Sequence, residues 1–242
     1  MAKRKNSSKK GTKKPASSSS SSKFVFWIIG LIAVAIIGFI FLANNQKNDE
    51  PVKEEIDYAN QPFLGKESAP VSIVEFGDYK CPNCKNFADT TVPLIVKEFV
   101  DTGKAKFYYF HYPFINVDSK RTAKFSESVY HELGNEKFWE FHDLIYKKQP
   151  EDTRYEKVDV FTEDFLKETL QEIASEEEVK KVADYFDTKE PEDAWEADNE
   201  LGEKLGVNGT PTIFVNGKRF DGQSLDDLNK MVEDAAMEKK DE

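Results

Sequence analysis

Only two cysteines occur in the 242 residues, and they share one tetrapeptide, Cys81-Pro82-Asn83-Cys84. So placed, they can bond only to each other or to another protein. They cannot staple distant parts of a fold, so the chain must rely on an apolar core. The two-residue spacing puts both sulfurs on the first turn of a helix, if one starts there. That reads as a dithiol that exchanges electrons. A zinc site would need two more ligands. The three histidines, His111, His131 and His142, do not lie beside a second cysteine pair, so zinc is not expected.

The compartment is read from the N-terminus. Residues 1–23 hold eight basic residues and no acid, and are expected to be a disordered cytoplasmic tail. Residues 24–43 are uncharged and apolar. At about 1.5 Å rise per residue this length spans the roughly 30 Å hydrocarbon core. A secretory signal would have a shorter apolar region and a small-residue cleavage site, so an uncleaved anchor is expected. With the basic flank inside, everything after the anchor is extracytoplasmic, in a cell membrane crossed once. Setting aside the eight basic tail residues leaves 26 basic against 45 acidic residues, a net charge of −19. Such a domain will not bind nucleic acid non-specifically.

Residues 44–60 are charged and polar and read as a linker. Beyond them Val71–Phe76 alternates and is β-branched, a strand signal. A turn carries the cysteines, and Phe87, Ala88, Val92, Leu94, Ile95 and Phe99 follow at helical spacing up to Gly103. Lys106–Tyr112 reads as a second strand. Residues 118–199 read as helices, with a stop at Gly134 and a cap at Thr162. Thr212–Val215, the Asn216-Gly217 turn signal and Lys218–Phe220 form a hairpin, and a last helix follows from Ser224. The expected fold class is α/β: a β-α-β unit and a β-β-α unit, residues 61–117 and 200–242, with a helical block inserted between them.

Cys81-Pro82-Asn83-Cys84 at a strand-to-helix junction, with Thr210-Pro211 before a hairpin, resembles the thioredoxin superfamily. The inserted helices, Glu75-Phe76 ahead of the cysteines and Phe138-Trp139 with Phe141-His142 narrow this to the DsbA family. With the anchor and the Gln61–Gly65 segment, the chain is similar to the BdbD-type branch of Gram-positive bacteria. The resemblance implies an extracytoplasmic thiol-disulfide oxidoreductase that introduces disulfides into reduced secreted or surface proteins. It also implies reoxidation by a DsbB-like, quinone-linked membrane partner, and no cofactor for the chemistry itself.

Each matching residue then acquires an expected role. Cys81 at a helix N-terminus would be a stabilised thiolate, titrating at roughly 3.5–7 instead of about 8.5. Cys84, one turn deeper, would resolve. Pro82 fits the first helical position, where no N–H is needed. Pro211 would be cis, leaving the Thr210 backbone free for an extended substrate. Glu75 would be a buried acid that shuttles a proton for Cys84. Asn83 stands where family members often carry His, so the thiolate lacks that positive charge. The resemblance also raises a structural calcium ion, with Gln61, Glu127 and Asp198 as its candidate ligands. His142, Phe138, Trp139 and Phe141 read as core; Tyr79 reads as either packing or substrate contact. A reductase or isomerase on the same fold, and a redox-inert binding module, are the competing readings.

Overall fold

The computed structural model describes residues 56–241. The tail, the expected anchor at 24–43 and most of the linker lie outside the described residues. Among the described residues no helix is long and apolar enough to cross a membrane.

The strands are β1 (Phe63–Leu64), β2 (Val71–Gly77), β3 (Ala105–His111), β4 (Thr212–Val215) and β5 (Lys218–Arg219). They form one mixed sheet in the order β1-β3-β2-β4-β5. Strand β2 runs parallel to β3, with Val71 opposite Ala105 and Gly77 opposite His111. It runs antiparallel to β4, with Glu75 opposite Ile213. Paired on both edges, β2 is buried at every residue. Its alternate side chains serve two cores. Val71 and Ile73 face a large core shared with Phe107, Phe125, Phe138 and Leu228. Val74 and Phe76 face a smaller one with Phe110, Leu205 and Phe214. Period two places Glu75 on the Ile73 side.

Helix α1 (Pro82–Thr90) begins at the cysteines and breaks at Thr91; α2 (Val92–Ile95) continues into a π-turn at Val96–Val100. The inserted helices are α3 (Val117–Lys148), α4 (Glu163–Gln171), α5 (Glu176–Phe186) and α6 (Glu190–Lys204), and α7 (Leu225–Asp241) closes the fold. Gly134, at φ +83°, interrupts α3, so the stop expected there holds. Thr162 caps α4 by accepting the Phe165 N–H, again as expected. In the hairpin Asn216 and Gly217 both have positive φ, which is the type I′ geometry.

Three boundaries change. The domain begins before residue 61: Ile56 is buried, and Tyr58 packs on Tyr108 at 4.6 Å between ring centroids. The linker expected over 44–60 therefore ends short of Ile56. The helical insertion does not stop at 199, because α6 runs to Lys204 before Leu205 and Val207 enter the small core. And Phe63–Leu64 adds a strand: it pairs antiparallel with Tyr108 and Phe107 on the sheet edge.

Candidate active site

Cys81 is the N-cap of α1 and Pro82 its first residue. The Cys81 thiol is 5 % exposed and Cys84 fully buried; both are free thiols. Sulfur, helix terminus and the peptide bond at Thr210-Pro211 meet here. That bond is cis, and the Cys81 Sγ–H donates to the Thr210 carbonyl at 3.3 Å.

The two sulfurs differ in acidity. A hydrogen bond from the Cys84 thiol is the main cause that brings the Cys81 pKa down from 9.0 to about 6. Burial opposes it, while the Thr210 side-chain hydroxyl and the backbone N–H groups of Cys84 and Asn83 assist. Burial pushes Cys84 well above the ordinary thiol value, and the hydrogen bond to Cys81 and the nearby Glu75 add to this. The outer sulfur is therefore the more acidic of the two, and the inner one holds its proton.

Glu75 is fully buried and neither carboxylate oxygen has a hydrogen-bond partner. Burial, with a smaller contribution from Cys81, raises its pKa from 4.5 to about 8. It is thus a neutral acid at pH 7, electrostatically coupled to Cys84.

Beneath the cysteines lies an aromatic layer. The Tyr79 hydroxyl meets His142 Nδ1 at 3.1 Å, and Tyr109 and Tyr146 share a hydroxyl–hydroxyl bond of 3.0 Å. Tyr79 is packing, at 1 % exposure; Phe138, Trp139 and Phe141 are core as expected. Burial drives the His142 pKa down to about 3, so this imidazole is neutral. Gly77 is required beneath this layer, since a Cβ there would sit 2.5 Å from the Tyr109 ring.

Four residues at the site carry no sequence signal. The Lys80 ammonium, directly before Cys81, is fully buried. It donates to Asp118 at 2.9 Å and to the Tyr155 and Val158 carbonyls at 2.8 and 2.7 Å. Asp118 also accepts the Val160 and Phe161 N–H groups. The Tyr155 hydroxyl donates to the Lys80 carbonyl. Gln149 Nε2 donates to the Tyr79 and Cys81 carbonyls. A lysine in a turn reads as solvated, and its partners lie 38 residues or more away in sequence.

The calcium candidates converge at the far side of β3. Gln61 Nε2 donates to Asp198 Oδ1 at 2.6 Å, and the His111 N–H donates to Asp198 Oδ2 at 2.9 Å. Glu127 stands 3.3 Å from the His111 ring. Burial, then the Glu127 charge, raises Asp198 well above the carboxylate range. The Gln61 side-chain oxygen is buried with no partner. No group of three His, Cys, Asp or Glu side chains suited to a metal occurs among the described residues, so the set is two carboxylates and an amide.

An acidified thiol at a helix terminus, a buried second thiol three residues on and a facing cis-proline on this sheet define a thiol-disulfide oxidoreductase of thioredoxin fold. A thioredoxin family model matches residues 57–234. The "Probable disulfide bond formation protein D" of Bacillus cereus is 33% identical over 209 residues, covering 86% of this chain and 93% of that protein. The "Disulfide bond formation protein D" of Bacillus subtilis is 36% identical over 173 residues, 72% of this chain and 75% of that protein. The crystal structure of oxidised BdbD from Bacillus subtilis superposes with a TM-score of 0.68 at 32% identity, covering 76% of this chain and 96% of that one. The α-DsbA1 of Wolbachia pipientis, at 18% identity and TM-score 0.62, shares the fold. The chain belongs to the thioredoxin family, within its DsbA-like disulfide bond formation proteins of BdbD type.

Proposed function

We propose that this protein introduces disulfide bonds into reduced secreted or surface proteins through Cys81 and Cys84, working outside the cell membrane. The observation that carries this reading is the split between the two thiols, with Cys81 near 6 and Cys84 far above 9. A stable Cys81 thiolate favours the reduced form, which makes the disulfide an oxidant.

In the forward step a substrate thiolate attacks Cys81 Sγ of the disulfide. The Cys81–Cys84 bond breaks, and Cys84 departs with the electron pair. Buried at 0 % exposure, Cys84 needs a proton, and Glu75 is the acid able to supply it. A second substrate thiolate then attacks the substrate sulfur of the mixed disulfide. Cys81 leaves as a thiolate held by the helix terminus, and the substrate leaves oxidised. The Thr210 backbone beside the sulfur is the edge on which an extended peptide would pair. Asn83 contributes its backbone N–H to the thiolate, in place of the positive charge a histidine would bring. Reoxidation falls to a quinone-linked membrane protein of DsbB type, and the apolar segment at 24–43 anchors the domain beside it.

Cys81→Ser should abolish oxidation of a reduced model protein, and Cys84→Ala should accumulate mixed disulfides. Retained activity in Cys81→Ser removes this function. A glutathione equilibrium near thioredoxin's about −270 mV would instead assign a reductase.

The same reading includes a structural calcium ion. Two carboxylates and an orphaned amide oxygen suit a hard cation, and Gln61, Glu127 and Asp198 would hold it. Its role would be charge neutralisation between buried acids, binding the segment before β1 to α3 and α6. Calcium should raise the melting temperature, and Asp198→Asn should remove the increase; a melting temperature indifferent to calcium and to chelator rules it out.

A further inference from the structure

Three consecutive carbonyls lead into the nucleophile, and each one accepts from a side chain of the helical insertion. Gln149 Nε2 donates to Tyr79 O at 2.8 Å and to Cys81 O at 3.2 Å. The Tyr155 hydroxyl takes the one between them, Lys80 O. The opposite sides of these peptides are held as well. The Lys80 N–H donates to Asp78 Oδ1 at 2.8 Å, and the Cys81 N–H to Asp78 O at 2.9 Å. The Asp78 carboxylate is itself fixed by the Phe114 and Ile115 N–H groups.

Neither donor belongs to a regular helix. Gln149 is the C-cap of α3, and Tyr155 lies in the 3₁₀ turn Thr153–Lys157. Their placement depends on a return tether. The Lys80 side chain reaches into the insertion and spends all three ammonium hydrogens on Asp118 and the Tyr155 and Val158 carbonyls. Its charge lies 4.7 Å from the Tyr155 ring centroid. The grip is reciprocal: the insertion holds the backbone before Cys81, and Lys80 holds the insertion.

We propose that Gln149 and Tyr155 are positioning residues that set the reactivity of Cys81 by gripping the carbonyls of Tyr79, Lys80 and Cys81 from the helical insertion. A carbonyl oxygen carries partial negative charge. Left without a donor beside the Cys81 sulfur, it would repel the thiolate and could swing toward it. Donors keep these oxygens turned to the insertion and leave the N–H face of α1 to the sulfur. This deepens the proposed function, since it takes Cys81 as the nucleophile.

The test uses the full-length chain in detergent with Gln149→Leu, Tyr155→Phe and the double variant. Leucine removes both donors without burying a new polar group, and phenylalanine keeps the ring over the ammonium. Cys81 is titrated by thiolate ultraviolet absorbance, and the disulfide is equilibrated with glutathione. Gln149→Leu should raise the titration midpoint by about half a pH unit and shift the equilibrium about threefold toward the disulfide. Tyr155→Phe should move both in the same direction by less, and the double variant by more than either. Variants that melt earlier while both readouts stay at wild-type values overturn the proposal, leaving Gln149 and Tyr155 as packing alone. A wild-type Cys81 that titrates at the ordinary thiol value of 9.0 overturns it differently, because it removes the stabilised thiolate itself.

Discussion

Two fully buried carboxylates flank the cysteines, and they are treated in opposite ways. Asp118 has an ammonium and two backbone N–H groups on one oxygen. Glu75 has no partner on either oxygen. Burying an ionised carboxylate costs several kcal/mol unless partners repay it. Asp118 is compensated through Oδ2 alone, its Oδ1 being buried without a partner. Glu75 is not repaid and keeps its proton instead, at a pKa of about 8. A buried acid left unpaired beside a sulfur that changes charge is useful in a way a satisfied one is not.

Breaking the satisfied pair should give the largest effect. Asp118→Ala strands the Lys80 ammonium among carbonyls and rings, and should cost about 3–5 kcal/mol in denaturant unfolding. The double change Lys80→Met with Asp118→Leu should recover only part of that loss, since it removes the stranded charge but leaves the Tyr155 and Val158 carbonyls and the Val160 and Phe161 N–H groups without these partners. A double variant as unstable as the single would show that the pair is worth more than its apolar replacement.

The unpaired acid should behave in reverse. Glu75 has a folded pKa of about 8, above its ordinary 4.5. Between those values the unfolded chain has released the proton and the folded one retains it. Stability contributed by this group is therefore present below about pH 4.5, falls as pH rises to about 8, and is flat beyond. Glu75→Gln should remove that slope and raise the melting temperature at pH 8. It should also slow thiol oxidation, by about 10²-fold if proton transfer to Cys84 limits the reaction. The sloping pH window should be narrower in the disulfide form, where the Cys81 charge that adds to the shift is absent. An unchanged pH dependence of stability would mean that Glu75 finds a partner and resembles Asp118 after all.

Much of the scaffold is legible along the chain, because local chemistry decides it. Alternation and β-branching mark Val71–Phe76, Asn216-Gly217 marks the hairpin, Gly134 marks the break in α3, and Thr162 marks a cap. The two-residue strand Phe63–Leu64 has no periodicity to read and exists only because β3 offers an edge. Among site residues, the cysteines announce themselves by spacing. Glu75, Thr210 and Pro211 stand out through family resemblance, as do Gln61, Glu127 and Asp198. Lys80, Asp118, Gln149 and Tyr155 carry no such mark. Their meaning is a set of contacts between segments far apart in sequence, and residue type gives no hint of it.

The smallest effect sharpens the comparison from the solvent side. Arg121 and Asp159 form a two-pronged pair at 2.6 and 3.0 Å, and Arg121 also donates to the Phe161 carbonyl. It ties the same strap, residues 155–161 running from the 3₁₀ turn to α4, that Lys80 ties from within. The Arg121 guanidinium holds the Asp159 carboxyl below its usual 3.8. That stability is present above the ordinary carboxylate pKa and is lost as pH falls through the lowered one. Yet Asp159 is 42% exposed, so water and salt screen the attraction. Asp159→Asn should cost only about 0.5–1 kcal/mol, and less in high salt. A cost approaching that of Asp118→Ala would mean that the strap is held mainly from outside. The buried ammonium would then contribute orientation at the Lys80 backbone, with little hold on the strap itself.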